Sequence, residues 1–177
     1  MMLLKNRSAG VVAYAIPDLN IKRRFSPGET KSVSEEEVQT LSFIPGGQTL
    51  LDQYLQVTPE DATKLSMEPE REYFWDEEKI KDVMTNGSLD TFLDALDFAP
   101  VGVIDLIKDY AVKMPLTDTQ KLDAIKEKTG FDAARAIENM KAVQRDSEGG
   151  AAAEVSGVRK RRVEEPITPT SKYKIIG

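Results

Sequence analysis

The chain has 177 residues, of which 40% are apolar and 31% charged, and its formal net charge is −6. That length and apolar share support one compact domain, or two small ones sharing a core. Cysteine and histidine are both absent, which excludes disulfides, thiolate nucleophiles, thiolate metal sites and imidazole catalysis, and with them most familiar catalytic dyads and triads, while a carboxylate or Ser–Lys mechanism survives.

Val11-Val12-Ala13-Tyr14-Ala15-Ile16 is rich in strand formers and stops at Pro17-Asp18. It is too short and too tyrosine-interrupted for a secretory signal core, and no later stretch approaches a membrane span, so synthesis in a cytosol is expected. Ile21, Arg23 and Phe25 share one side of a second strand, with Lys22 and Arg24 on the other. This reads as an edge or interface feature rather than a nucleic-acid patch. Ser26-Pro27-Gly28-Glu29 fits a type II turn, proline presetting the first central residue and glycine taking the positive φ of the second. A short helix follows, with Ser34 and Glu37 as a capping box, Val38 and Leu41 as its apolar side, and Glu35-Glu36-Glu37 complementing the macrodipole. Pro45-Gly46-Gly47 then breaks the chain. It is not a phosphate-binding loop, because Gln48-Thr49 stand where that motif needs a lysine. Leu50, Leu51, Tyr54, Leu55 and Val57 form a dense apolar segment compatible with helix or strand.

Residues 1–57 thus read as a small β-rich or mixed region and 58–75 as a connecting segment. The segment opens with Thr58-Pro59-Glu60-Asp61, a helix start, and ends in Tyr73-Phe74-Trp75, three aromatics that need cover and mark the seam between two halves. Residues 76–145 read as five helices with short loops, an antiparallel bundle. Asp76 caps the first, which carries Ile80, Val83 and Met84; Ser88 caps the second, with Leu89, Phe92, Leu93 and Leu96 at helical spacing. Val101, Ile104, Ile107 and Tyr110 stripe the third, Thr117 with Gln120 offers a capping box for the fourth, and Gly130 ends it. The fifth is capped by Asp132 and buries Ala136, Ile137 and Met140.

Two motifs inside the bundle invite a functional reading and yield to a plainer one. Asp90, Asp94 and Asp97 share a helix face, as a Mg²⁺ or acid–base site would need, but that face lies opposite the Leu89-Phe92-Leu93-Leu96 stripe, where water sits. Residues 121–145 have the outline of a helix-turn-helix. Its second helix shows Asp132, Arg135, Glu138, Lys141, Arg145 and Asp146, a balance that favours an ordinary hairpin over a phosphate-binding surface.

From Asp146 the composition shifts. Ser147-Glu148-Gly149-Gly150-Ala151-Ala152-Ala153 reads as a flexible linker, Arg159-Lys160-Arg161-Arg162 is a basic cluster, and Tyr173-Lys174-Ile175-Ile176 is an apolar tip. Residues 1–145 hold 18 basic and 25 acidic side chains against 6 and 5 in 146–177, so only the arm could attract a polyanion. Glu164-Glu165 weaken even that, and an acidic protein surface suits the cluster better. Tyr173, Ile175 and Ile176, with Arg159, Lys160, Arg161 and Arg162, are therefore the expected protein-binding residues; nothing in the sequence calls for a cofactor or metal.

Two stretches carry a resemblance. Ile21-Lys-Arg-Arg-Phe-Ser-Pro-Gly-Glu-Thr-Lys through Pro45-Gly-Gly-Gln-Thr-Leu-Leu-Asp-Gln-Tyr-Leu, and Asn86-Gly-Ser-Leu-Asp-Thr-Phe-Leu-Asp-Ala-Leu-Asp-Phe-Ala-Pro through Lys128-Thr-Gly-Phe-Asp, resemble small accessory proteins of tailed bacteriophages over most of residues 10–140. The resemblance implies a virion-associated structural role at the capsid or at the portal and neck, with major capsid, portal or neck subunits as partners. It carries no motif with an assigned chemical role. The expected protein is α+β and mostly α: a small β-containing region, a five-helix antiparallel bundle and an extended C-terminal arm over residues 146–177 that docks on neighbouring subunits. It is expected in the virion, and in the host cytoplasm before assembly, as a non-enzymatic component that contacts no membrane and can self-associate. The competing expectation is a phage regulatory protein that binds nucleic acid or host polymerase through residues 118–145 and the basic arm.

Overall fold

The computed structural model describes residues 1–65 and 72–153, with side chains as far as Ser147. The fold is α+β. Strands β1 (Met2–Asn6), β2 (Val12–Ile16), β3 (Ile21–Phe25), β4 (Thr30–Val33) and β5 (Leu55–Val57) are interleaved with helices α1 (Glu35–Phe43) and α2 (Gly47–Gln53). Helices α3 (Pro59–Lys64), α4 (Glu77–Thr85), α5 (Leu89–Phe98), α6 (Val101–Lys113), α7 (Thr119–Thr129) and α8 (Ala133–Ala153) follow. The chain divides after Ala142 into two units.

The strands form a three-stranded antiparallel sheet in the order β4-β1-β5 and a separate β2-β3 ribbon. Register follows the period-2 alternation. In the ribbon Val12 pairs with Phe25 and Ile16 with Ile21, so Val12, Ile16 and Phe25 are buried while Ala13 and Ala15 face out. These side chains join Met2, Leu4, Val33 and Leu55 from the sheet and Val38, Leu41 and Leu51 from α1 and α2 in one core. A second core gathers Ile80, Val83 and Met84 of α4, Phe92 and Leu96 of α5, Val103 and Ile107 of α6, Ile125 of α7 and Ala133 of α8. Periodicity assigns most of these to the inner faces, but on α6 the buried side is Val103, Ile107 and Ala111, while Val101, expected in the stripe, is 39% exposed because it stands at the first turn.

The end of β1 ties the elements together. Asn6 donates through Nδ2 to the carbonyls of Gly10 (2.8 Å), Phe25 (3.3 Å) and Ser26 (3.0 Å), and its Oδ1 accepts from the Ser8 N–H and hydroxyl. Arg7 donates through Nη2 to the Asp52 carbonyl at 2.8 Å. The first turn of α6 rests on the same place: a Cβ at Gly102 would come within 2.8 Å of the Gln53 carbonyl oxygen and 3.0 Å of Arg7 Cγ, so only glycine lets the helix approach so closely. Beside it the Val101 N–H donates to Gln53 Oε1 at 3.0 Å.

Most local punctuation matches expectation. Ser34, Thr58, Asp76, Ser88 and Asp132 accept backbone N–H groups at helix starts, Gly28 takes a φ of +71° in a turn closed by Glu29 N–H donating to the Ser26 carbonyl, and left-handed Gly130 ends α7. The differences have physical causes. β1 escapes a sequence reading because Met-Leu-Leu lacks the β-branched residues that mark strands, and its strand state comes from pairing on both sides. The ambiguous Leu50–Val57 stretch is both things, the end of α2 and then β5, divided at Tyr54. Asp118 rather than Thr117 caps α7, accepting from the N–H groups of Gln120 and Lys121. Residues 147–153, expected as linker, are helical as the end of α8, because the alanines and the turns before them sustain the helix across Gly149-Gly150. The remaining residues of the expected arm lie outside the described residues.

Leu96 is buried against the helical core, whereas Asp97 is exposed and paired only with Lys128. Leu96→Ala should cost about 2–5 kcal/mol in urea denaturation. Asp97→Ala should stay within about 0.5 kcal/mol. Asp94→Ala should fall between them, because Asp94 accepts a hydrogen bond from the buried Tyr73 hydroxyl at 2.9 Å.

Candidate functional site

The expected protein-binding residues Tyr173, Ile175, Ile176, Arg159, Lys160, Arg161 and Arg162 lie outside the described residues. What can be built from the residues upward is the set of buried charges and exposed apolar side chains, and it divides cleanly. The charges inside belong to the fold.

Arg23 is the inward residue of the alternating Lys22-Arg23-Arg24 set, and it reaches Glu37 on α1 in a bidentate pair, Nε to Oε1 at 2.8 Å and Nη2 to Oε2 at 2.9 Å. The Tyr14 hydroxyl donates to the same Oε1 at 2.7 Å. Glu37 is fully buried. Its carboxyl is held below the ordinary glutamate value, first by the Arg23 hydrogen bonds and against the opposing effect of burial, with Tyr14 adding to the lowering. Burial, and then the Glu37 partner, pushes the Tyr14 phenol well above the ordinary tyrosine range. The sequence offered Glu37 as a capping-box residue and a dipole partner. Its larger role needed the strand pairing that puts Tyr14 opposite Arg23.

Lys121 is buried on the first turn of α7, and its ammonium forms no salt bridge among the described residues. Its Nζ donates to the carbonyls of Val83 (3.2 Å), Met84 (2.9 Å) and Gly87 (2.8 Å), using all three ammonium donors to close the C-terminal end of α4, and it lies 5.5 Å from the Phe92 ring centroid. A lysine at helical spacing with Ile125, in place of an apolar residue, was the available signal.

Two of the three aspartates on α5 are also engaged. Asp90, Asp94 and Asp97 are exposed; Asp94 accepts from Tyr73 and Asp97 pairs with Lys128. The Tyr73 phenol is pushed up to about 12 by burial and then by Asp94. Among the described residues no group of three or more acidic side chains is placed to hold a metal ion. On the helix-turn-helix outline, Asp132 caps α8 and pairs with Lys126 at 2.8 Å, and the exposed residues beyond set Arg135, Lys141 and Arg145 against Glu138 and Asp146. That surface does not assemble a cationic groove.

The apolar residues left outside follow a local rule. Phe43 and Phe98 are 82% and 72% exposed, and each is the last residue of its helix, α1 or α5. In both cases the next residue but one is proline, and the residue between, Ile44 or Ala99, takes extended backbone with ψ of 141° or 152°. The helix stops on the phenylalanine before another turn can cover it.

The ion pair gives the clearest test. Removing Arg23 strands a buried carboxylate, a loss of about 3–5 kcal/mol in a fully buried pair. Arg23 is 35% exposed, so Arg23→Ala should cost less, about 2 kcal/mol. Because the folded Glu37 pKa is depressed, its stabilisation is full above the ordinary value of 4.5 and is lost as pH falls through the lower folded value. Wild-type protein should therefore lose more stability than Glu37→Gln between neutral and strongly acidic pH. At the alkaline side the raised Tyr73 acts in the opposite sense: its contribution is full below 10.0 and lost as pH rises through about 12. Urea midpoints against pH check both limbs. No family model matches the sequence, and no curated protein or solved structure is significantly similar to it.

Proposed function

We propose that the chain is a non-enzymatic structural or interaction protein of a tailed-phage virion, associated with the capsid or with the portal and neck. The observation that carries the contact role is the division between inside and outside: Glu37 and Lys121 are consumed by the fold, while Phe43 and Phe98 stand in water. Glu37 and Lys121 are buried and their hydrogen bonds go to the fold, which leaves them poorly placed to meet a substrate. Exposed phenylalanines gain free energy only when something covers them. The virion assignment rests on the resemblance of residues 21–55 and 86–132 to phage accessory proteins. Among the described residues no helix is long and apolar enough to cross a membrane.

In this reading the five helices α4 to α8 are an antiparallel bundle, and the rest of the chain after α8 is an arm whose Tyr173, Ile175 and Ile176 dock on a neighbouring subunit. Tyr173 and Ile175 would point to one side of an added strand and Ile176 to the other, backbone hydrogen bonds giving affinity and side chains giving register. Arg159 to Arg162 assist by attraction to an acidic surface. Many repeated contacts in a particle offset the entropy of ordering each arm.

Deleting residues 172–177 should leave the melting transition unchanged and reduce incorporation into particles, scored by mass spectrometry of purified virions. Neutralising Arg159, Lys160, Arg161 and Arg162 together should have the smaller effect. Normal incorporation of the deletion variant would remove the docking arm from the account, and absence of the protein from wild-type particles would remove the virion role.

A further inference from the structure

The corner between α4 and α5 holds Asn86-Gly87, the one place in the chain where glycine follows asparagine. Packing requires that glycine: a Cβ at Gly87 would come within 2.5 Å of the Val83 carbonyl oxygen and 2.9 Å of Val83 Cα. With no side chain beside it, the Gly87 nitrogen is the least shielded that a backbone can offer to the asparagine amide. The reaction open to such a pair is deamidation. Hydroxide takes the Gly87 amide proton, the nitrogen bonds to Asn86 Cγ, and the Cγ–Nδ2 bond breaks, the leaving nitrogen taking a proton from water to depart as ammonia. Water then opens the cyclic imide at either carbonyl, giving aspartate or isoaspartate.

Asn86 is exposed, so water reaches its amide, yet the fold keeps both reacting groups engaged elsewhere. Asn86 Nδ2 donates to Asp82 Oδ1 at 2.9 Å, which draws the amide back along α4 while the Gly87 nitrogen lies ahead of it. The Gly87 N–H donates to the Asp82 carbonyl at 3.0 Å, an acceptor shared with the Asn86 N–H at 2.7 Å. The Gly87 carbonyl is one of the three that Lys121 holds, at 2.8 Å. Ring closure needs the Asn86–Gly87 peptide to turn and its N–H to be released, and each of these contacts opposes that.

We propose that Asn86 is a fold-gated deamidation site, preserved while α7 holds the end of α4 and converted when that corner opens. Such openings are local and do not wait for global unfolding. The change is one-way. Aspartate at 86 sets a carboxylate where Nδ2 now donates to Asp82, at the negative end of the α4 dipole. Isoaspartate in addition lengthens the backbone by a methylene just ahead of Ser88, the cap of α5. This site is separate from the contact role and does not depend on it.

The full chain is incubated in warm, mildly alkaline buffer, and residue 86 is followed by peptide mass spectrometry, natively and in urea, for wild type, Asp82→Ala and Lys121→Met. Native wild type should convert about tenfold or more slowly than the same chain in urea. Asp82→Ala removes the acceptor of Asn86 Nδ2, and Lys121→Met removes the clamp on the Gly87 carbonyl, so both should convert faster than native wild type. Asn86→Asp should have a lower urea midpoint than wild type. The proposal is overturned if native wild type converts as fast as in urea, if no variant that melts cooperatively is faster, or if Asn86→Asp is as stable as wild type. Asp82 is exposed and pairs only loosely with Lys79, at 3.7 Å, so Asp82→Ala decides even if Lys121→Met loses its cooperative melt.

Discussion

Three consecutive polar residues, Asn6-Arg7-Ser8, sit where an apolar strand ends, and the arrangement of the molecule depends on how they are satisfied. β1 is the middle strand, so its backbone groups are taken by β4 and β5. The residues just past it must bind something else or leave buried donors empty. Asn6 answers by crossing to the β2-β3 ribbon and to the turn after it: its side chain holds the carbonyls of Phe25 and Ser26, and its backbone exchanges hydrogen bonds with Gly28 and Glu29. Arg7 answers on the other side, its N–H on Tyr54 and its guanidinium on Asp52 at the end of α2. Ribbon, sheet and α2 are thereby fixed to one point, and Gly102 brings α6 onto it. Two cores that share almost no residues become one unit through a polar junction.

The same economy recurs in each core. The N-terminal core keeps one carboxylate and answers it with Arg23 and Tyr14; the helical core keeps one ammonium and answers it with three carbonyls from the end of α4. These are opposite solutions to one problem. Glu37, in the first turn of α1, is answered by the Arg23 counter-charge, whereas Lys121 is answered by carbonyls at the negative end of a helix dipole. Both groups also fix register. Glu37 binds the ribbon at one rotation of Arg23 and Tyr14 only, and Lys121 sets α7 against α4 at a position that apolar contacts alone would leave free to slide.

Much of this was legible in the sequence where the signal is local. Caps at Ser34, Thr58, Asp76, Ser88 and Asp132, the turn at Gly28, the end of α7 at Gly130 and the inner faces of α4 and α5 follow from side chains within four residues of one another, whereas the stripe expected on α6 put Val101 inside in place of Val103. What could not be read depends on partners far along the chain. β1 is a strand because β4 and β5 lie beside it, not because Met-Leu-Leu prefers one. Arg23 was placed on the correct side of β3, but nothing nearby announced that Glu37, fourteen residues on, would meet it.

The exposed phenylalanines show how a surface for contact arises without any loss to the core. A proline two residues past a helix end forces the intervening residue out of helical space, so the last helical side chain has no following turn to lie against. In α1 and α5 that side chain is aromatic. Had Phe43 or Phe98 stood one turn earlier, it would have competed with Val38, Leu41, Phe92 or Leu96 for the interior. Placed at the stop, it adds apolar surface where the backbone is already held by the turn, so little ordering is required when a partner covers it. An aromatic with two side-chain torsions, mounted on a fixed helix end, is the kind of residue that dominates binding energy in protein interfaces. The interior charges of this chain serve its fold, and Phe43 and Phe98 at its helix ends are apolar surface that the proposed contact role would use.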